Sequence, residues 1–295
     1  MKRRILDGDF LDRLDAAALC LKSQMTGYFG GTRKARSYGN TVEFADFREY
    51  FPGDDIRRID WNVYARFEKY FIKLFTDERQ MQNQILIDCS MSMACGEPEK
   101  ATAALRIAAA FGYLSVCSMD RVSYKLLRED RADELPFNVT SKDSFYRAAQ
   151  ILEKAEFGGD TDLEKSVLNI GKPGYDDGLT IIISDFFTES NWKKMVDFLV
   201  YRRREVIMIQ VLSPDELYPG FDGRIDMQDS ESADRNMKMM VTKKSMQAYQ
   251  QALDEYEKEL IDFCASRGVT FFTVSSADPI EQVIFGKGYE AEVIK

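Results

Sequence analysis

The sequence contains no histidine. That absence removes every mechanism that needs an imidazole from this chain. Ser-His-Asp and Cys-His hydrolases are excluded, as are zinc sites of the HExxH type. Cysteine is sparse. The five thiols (Cys20, Cys89, Cys95, Cys117 and Cys264) are odd in number, scattered, and never spaced as CxxC. They read as the reduced thiols of a cytoplasmic protein. Long apolar runs are missing too. No stretch approaches the roughly 20 apolar residues that span a bilayer. The basic start, "MKRR", is not followed by the apolar core of a secretory signal. A net charge of −9 argues against a general binder of nucleic acid or anionic membrane, because phosphate is repelled overall.

What is present is a chain of 295 residues, 45% hydrophobic and 30% charged. That is enough apolar material for a sizeable core under a well-solvated surface. Residues 9–25 predict an amphipathic helix with Asp9 as N-cap and Phe10, Leu14, Ala17, Ala18 and Leu21 on one face. Residues 27–40 are glycine-rich and basic and predict a loop. The next stretch, 41–70, mixes aromatics with dense charge around the turn signal "PGDD". Strand "YFIKLF" (70–75) follows. Its balanced acids and bases predict an internal ion-pair network from Arg48 to Arg66, anchored by Tyr50 and Trp61.

From residue 84 the pattern becomes regular. Apolar runs at 84–88, 121–127, 179–185, 205–212 and 269–275 alternate with helical stretches at 99–117, 141–156, 162–170, 190–203 and 243–266. Continuous aliphatic runs between helices indicate strands buried on both faces. The fold class is therefore α/β, a doubly wound, mostly parallel sheet flanked by helices. Residues 1–79 form an N-terminal helix plus the charged segment, and 80–290 the α/β domain. A β-hairpin excursion interrupts the alternation at about 213–242.

In such a sheet, ligands bind beyond the carboxyl ends of the strands. Strand "QILID" ends on Asp88, and "LTIIISD" ends on Asp185. Two parallel strands thus present a carboxylate each at one edge. Ser90 and Ser92 follow Asp88 at every second position. In an extended turn all three side chains point the same way. Thr161, after a Gly-Gly turn at the start of a helix, is a further oxygen donor. These hard oxygens suit Mg²⁺, with Mn²⁺ or Ca²⁺ as alternatives, rather than Zn²⁺. An ion held mostly by neutral hydroxyls stays electron-poor and seeks one more anionic oxygen.

The pattern Asp88-x-Ser90-x-Ser92, Thr161, Asp185 resembles the metal-ion-dependent adhesion site of von Willebrand factor A domains. That resemblance implies direct coordination by Ser90, Ser92 and Thr161, with Asp88 and Asp185 acting mainly through waters. A longer stretch, "VEFADFREYFPGDDIRRIDWNVYARFEKYFIKLFTDE" (42–78), runs into "ILIDCSMSM". It is similar to the hallmark of the domain-of-unknown-function 58 family. Matching positions include Glu43, Phe44, Arg48, Tyr50, Pro52, Gly53, Asp54, Asp55, Arg57, Ile59, Asp60, Trp61, Ala65 and Arg66. The family resemblance implies a partner among MoxR-type AAA+ ATPases and a role as adaptor or co-chaperone. Two departures stand out. The run "GTRKARS" carries no histidine where many members have one, and the membrane helices of many relatives are absent.

Three functions compete. The first is a non-enzymatic, metal-dependent protein-binding module. The second is a metal-dependent phosphohydrolase or phosphotransferase with Asp88 as nucleophile. Against it, the position two residues on, where such enzymes usually place an acid, is Ser90. The third is a structural domain with a vestigial site.

Overall fold

Strands buried on both faces need helices on both faces, and the computed structural model has this arrangement. It describes residues 3–28, 42–77, 81–170, 178–219, 223–228, 236–241 and 243–287. The chain forms two compact units, Met1–Leu21 with Met81–Lys295, and Lys22–Gln80. From residue 29 on, the glycine-rich stretch expected as a loop lies outside the described residues. Gly27 and Tyr28 close the first helix.

Helix α1 (Gly8–Tyr28) opens the chain. Its cap is Asp7 rather than Asp9, because the Asp7 carboxylate accepts the Phe10 N–H at 2.8 Å. Phe10, Leu14 and Ala17 are buried, as the helical spacing requires. In the second unit, β1 (Val42–Glu49) pairs antiparallel with β2 (Phe71–Asp77), with a bulge between Phe44 and Asp46. The sequence reading missed β1, because its alternation of apolar and charged residues slips by one at Phe44-Ala45, where the bulge lies. Between the strands, the "PGDD" turn closes with Asp54 N–H donating to Phe51 O at 3.0 Å. Gly53 takes φ +112° there, a region open to glycine. Asp60 caps α2 (Trp61–Phe67) by accepting from Asn62 N at 2.8 Å.

Of the expected ion-pair network, Arg48–Asp54 is present at 2.7 Å, while Asp60 pairs with Lys73, beyond the segment on β2, at 3.0 Å. Trp61 is not its anchor. It is 61% exposed, and α2 buries none of its side chains. Tyr64 stacks on Tyr70 with ring centroids 4.6 Å apart. Trp61 meets Tyr64 only edge-on.

The other unit holds the main sheet. In chain order its elements are β3 (Gln82–Asp88), α3 (Lys100–Cys117), β4 (Arg121–Arg128), β5 (Arg131–Glu134), α4 (Lys142–Leu152), α5 (Leu163–Leu168), β6 (Gly178–Ser184), α6 (Trp192–Tyr201), β7 (Arg204–Leu212), α7 (Pro214–Leu217), β8 (Gly223–Gln228), β9 (Asn236–Val241), α8 (Lys243–Ser266) and β10 (Thr270–Ser275). The six strands lie in the order β10-β7-β6-β3-β4-β5. All neighbours are parallel except β4 and β5. Strand β5 is a four-residue edge of charged composition, RADE, and the sequence reading had no apolar signal by which to see it. The hairpin excursion is β8 with β9, antiparallel.

Strand residues alternate between two cores, as the pleat demands. Ile85, Ile87, Ile181, Ile183, Ile207 and Ile209 face one core with α1, α3 and α4. Leu86, Ile182, Val206 and Met208 face the other with α5, α6 and α8. Helix α3 lies close on the sheet because its inner residues are small. At Gly112 a Cβ would stand 1.8 Å from the Tyr124 hydroxyl.

The strand order has one functional consequence. From β3 the chain crosses to β4 on one side, then returns to β6 on the other. The carboxyl ends of β3 and β6 therefore flank a topological switch point, where diverging connections open a crevice in sheets of this kind.

Candidate functional site

Asp88 closes β3, and Asp185 directly follows β6. The two carboxylates thus stand at the two sides of the switch point. Both are almost fully buried. Asp88 Oδ1 accepts the Ser90 N–H at 3.0 Å, and Oδ2 accepts the Ser184 hydroxyl at 2.6 Å. Burial, and then the negative charge of Asp185, push the Asp88 carboxyl up to about 6, against the pull of these hydrogen bonds.

The loop after Asp88 is not the extended turn expected. Met91 is helical, and Ser92–Ala94 form a short 3-10 turn. The hydroxyls still converge, with Ser90 and Ser92 Oγ 3.0 Å apart. Backbone bonds dock this loop on the glycine turn that carries Thr161. Met91 N donates to Gly159 O at 2.8 Å, and Gly158 N donates to Cys89 O at 2.9 Å. Gly159 sits at φ +76°. Thr161 bridges to Glu129 and immediately precedes Asp162, the N-cap of α5. It is 3% exposed, and its Oγ1 has no hydrogen-bond partner. A buried hydroxyl without a partner costs free energy on the order of 1–3 kcal/mol.

Asp185 is oriented by a strained turn. Its Oδ1 accepts the Phe187 N–H at 3.1 Å. The intervening Phe186 takes φ +56°, an uncommon conformation for a large residue, and is fully buried. The Tyr256 hydroxyl fixes that turn by donating to Phe186 O at 2.6 Å.

Sequence reasoning missed three polar groups. Ser184 holds Asp88. Lys100, 1% exposed, donates to Asp185 Oδ2 at 2.8 Å and to Glu216 Oε1 at 2.5 Å. Burial works to lower the Lys100 pKa, but Asp185 and Glu216 outweigh it and hold the ammonium above its ordinary value. One sequence signal could have found this lysine. It opens α3, where the helix dipole disfavours a cation, so a lysine there implies a carboxylate partner.

Asp88, Ser90, Ser92 and Asp185 thus lie at the carboxyl ends of β3 and β6 and on the loops that follow, and Thr161 comes from the loop before α5, which backbone bonds dock on the loop after β3. Among the described residues no group of three His, Cys, Asp or Glu side chains forms a metal cage. A cation here would depend on hydroxyl oxygens. The donor set fits a hard divalent ion: an unpartnered threonine oxygen, two serine oxygens sharing one hydrogen bond, and a buried carboxylate. Two surface concavities, of about 330 and 370 Å³, are lined by other residues, and none of the five site residues contributes to them. Met91 and Phe187, on the loops leaving β3 and β6, are exposed apolar side chains. Among the described residues no helix is long and apolar enough to cross a membrane.

The sequence profile described as "Protein of unknown function DUF58" matches residues 46–259. The uncharacterized protein Rv1480 of Mycobacterium tuberculosis is 28% identical over 237 residues, which is 77% of this chain and 74% of that protein. The uncharacterized protein Mb1516 of Mycobacterium bovis gives the same figures. Among solved structures, the conserved hypothetical protein BatB of Bacteroides thetaiotaomicron is similar with a TM-score of 0.41 at 12% identity, over 72% of this chain and 99% of that one. A von Willebrand factor type A structure from Catenulispora acidiphila has a TM-score of 0.41 at 12% identity, over 75% of this chain and 44% of that one.

Proposed function

The chain belongs to the DUF58 family, and we propose that it is a protein-interaction module that presents a divalent cation to a carboxylate of its partner. The ion is Mg²⁺, with Mn²⁺ as a workable substitute. Ser90, Ser92 and Thr161 are its direct ligands, while Asp88 and Asp185 hold its waters and balance its charge. Bound there, the ion supplies an electron-poor centre that accepts one further anionic oxygen.

One observation carries this reading. Thr161 Oγ1 is buried without a partner, on a loop pinned by backbone bonds to the one that bears Ser90 and Ser92. A cation gives that oxygen the partner it lacks. The rim supports a protein ligand rather than a small one, since exposed Met91 and Phe187 offer apolar contact around the charge. The family resemblance makes a MoxR-type AAA+ ATPase the first partner to test, with the chain as its adaptor or co-chaperone. A cytoplasmic setting accords with the exposed cysteines Cys95 and Cys117, neither of which is in a disulfide.

Nucleophilic catalysis by Asp88 has less support. The side chain is 3% exposed, and both oxygens already accept hydrogen bonds. An in-line attack needs an accessible oxygen and a nearby proton donor.

Mn²⁺ titration followed by paramagnetic resonance tests the proposal. Wild type binds one ion, and Asp88→Ala loses it. Equal binding by both proteins sinks the metal site. Partner capture is tested separately, with Ser90→Ala plus Ser92→Ala, which abolishes capture and its metal dependence on this reading.

A further inference from the structure

Lys100 is the most unusual group near the site. A fully buried lysine is rare and needs charged partners. This one has two, Asp185 at 2.8 Å and Glu216 at 2.5 Å. Its placement is built by several independent contacts. Lys100 N donates to Cys95 O, closing the loop that starts α3. Gly96, at φ +93°, lets that loop lie against the end of β7, where a Cβ would meet Ser213 Cβ at 2.6 Å. Ser213 and Glu216 form a capping box at α7, with Ser213 N donating to Glu216 Oε2 at 2.7 Å. The second oxygen of Glu216 is thereby left for Lys100. Phe187 closes over the ammonium, with its ring centroid 6.0 Å away.

We infer that Lys100 is a resident cation of the site, a positioning residue that holds Asp185 as an outer-sphere carboxylate and sets how weakly the bare protein binds a divalent ion. This rests on the cation site proposed above. The physical reason is a count of charges. Without Lys100, three carboxylates, Asp88, Asp185 and the half-buried Glu216, stand uncompensated around an incoming ion. With it, one of those three charges is cancelled by an ammonium that Asp185 and Glu216 share, beside neutral hydroxyls. Affinity for hard cations follows the number of charged ligands. An ion so held is completed by a carboxylate from outside, so Lys100 makes metal retention depend on the partner. Binding of the two is then mutually reinforcing. Glu216 sets the strength of the effect by sharing the ammonium with Asp185.

The test is Mn²⁺ affinity, read by paramagnetic resonance on the full chain, in wild type, Lys100→Met and Glu216→Gln. Lys193→Met serves as control, because it removes the same charge from an exposed ion pair with Glu259. Lys100→Met is expected to bind Mn²⁺ at least about tenfold more tightly, a gain that damage to the fold does not produce. Glu216→Gln leaves the ammonium wholly to Asp185 and weakens binding several-fold. Lys193→Met changes nothing.

Equal affinity in wild type and Lys100→Met overturns the inference and leaves the cation site standing. Binding by Lys100→Met but not by wild type keeps the inference and removes the metal from the native function. Absence of binding in both folded proteins overturns both. Should Lys100→Met fail to fold, Glu216→Gln decides: unchanged affinity there overturns the role of Lys100.

Discussion

Replacing Asp88 by asparagine separates the cost of the site from its use. The Asp88 carboxyl is pushed from its ordinary 3.8 up to about 6, first by burial and then by Asp185. An acid whose folded value is raised favours the folded state only while protonated. Below about 3.8 both states carry the proton and nothing is lost. Between 3.8 and 6 the unfolded chain ionises first, so stability falls as pH rises. Above 6 the whole penalty is present. About two units at 1.36 kcal/mol each give roughly 3 kcal/mol as the largest possible relief. Asparagine keeps an acceptor for Ser90 N–H, and its amide can donate to the Ser184 hydroxyl. Some of the relief is lost in the weaker hydrogen bonds. In EDTA at pH 8 the Asp88→Asn protein should therefore be more stable by about 1–3 kcal/mol, which raises the melting temperature by several degrees. The gain should shrink steadily as the pH is lowered through 6. Thermal melts at a series of pH values measure it directly. A variant less stable than wild type at pH 8, or a gain that does not depend on pH, would refute the charge-penalty argument.

Further outcomes follow from single contacts. Thr161→Val removes the unpartnered hydroxyl. It should raise metal-free stability by about 1 kcal/mol while weakening Mn²⁺ binding, and a loss on both counts would mean the oxygen has a role in the bare fold. Gly112→Ala forces a Cβ to within 1.8 Å of the Tyr124 hydroxyl. It should cost roughly 1–3 kcal/mol in urea unfolding, with Tyr124→Phe restoring part of it. Leu14→Ala should cost about 2–5 kcal/mol if α1 is part of the core, because Leu14 is 1% exposed. A change under 1 kcal/mol would mean that α1 adds little to the sheet unit.

The strands and helices of the sheet were legible because their signals are local. The runs at Ile85–Ile87 and Ile181–Ile183 are aliphatic throughout, and burial on both faces follows. The helical spacing of Phe10, Leu14 and Ala17 is equally plain. Strands β1 and β5 were not legible, because the alternation of β1 slips at its bulge, the composition of β5 is charged, and only pairing with a neighbour makes them strands. The expected anchor at Trp61 failed for a related reason. Trp61 opens a short helix that buries none of its side chains, and an aromatic residue anchors only where packing surrounds it.

By itself, then, the sequence determined a doubly wound parallel sheet with Asp88 and Asp185 at one edge and serine, serine and threonine oxygens nearby. Periodicity and strand ends are properties of short segments, and the chain carries them at every step. Tertiary structure decided the rest. Strand order put β3 beside β6 and so made their ends a switch point. Long-range contacts brought Ser184 to Asp88, brought Lys100 from α3 to Asp185, and brought Glu216 from α7 to Lys100. Those residues stand 96, 85 and 116 positions apart in their respective pairs. No local pattern encodes a contact across such separations. It exists because the sheet is closed-packed around it, and because a charge buried at that edge must meet its opposite.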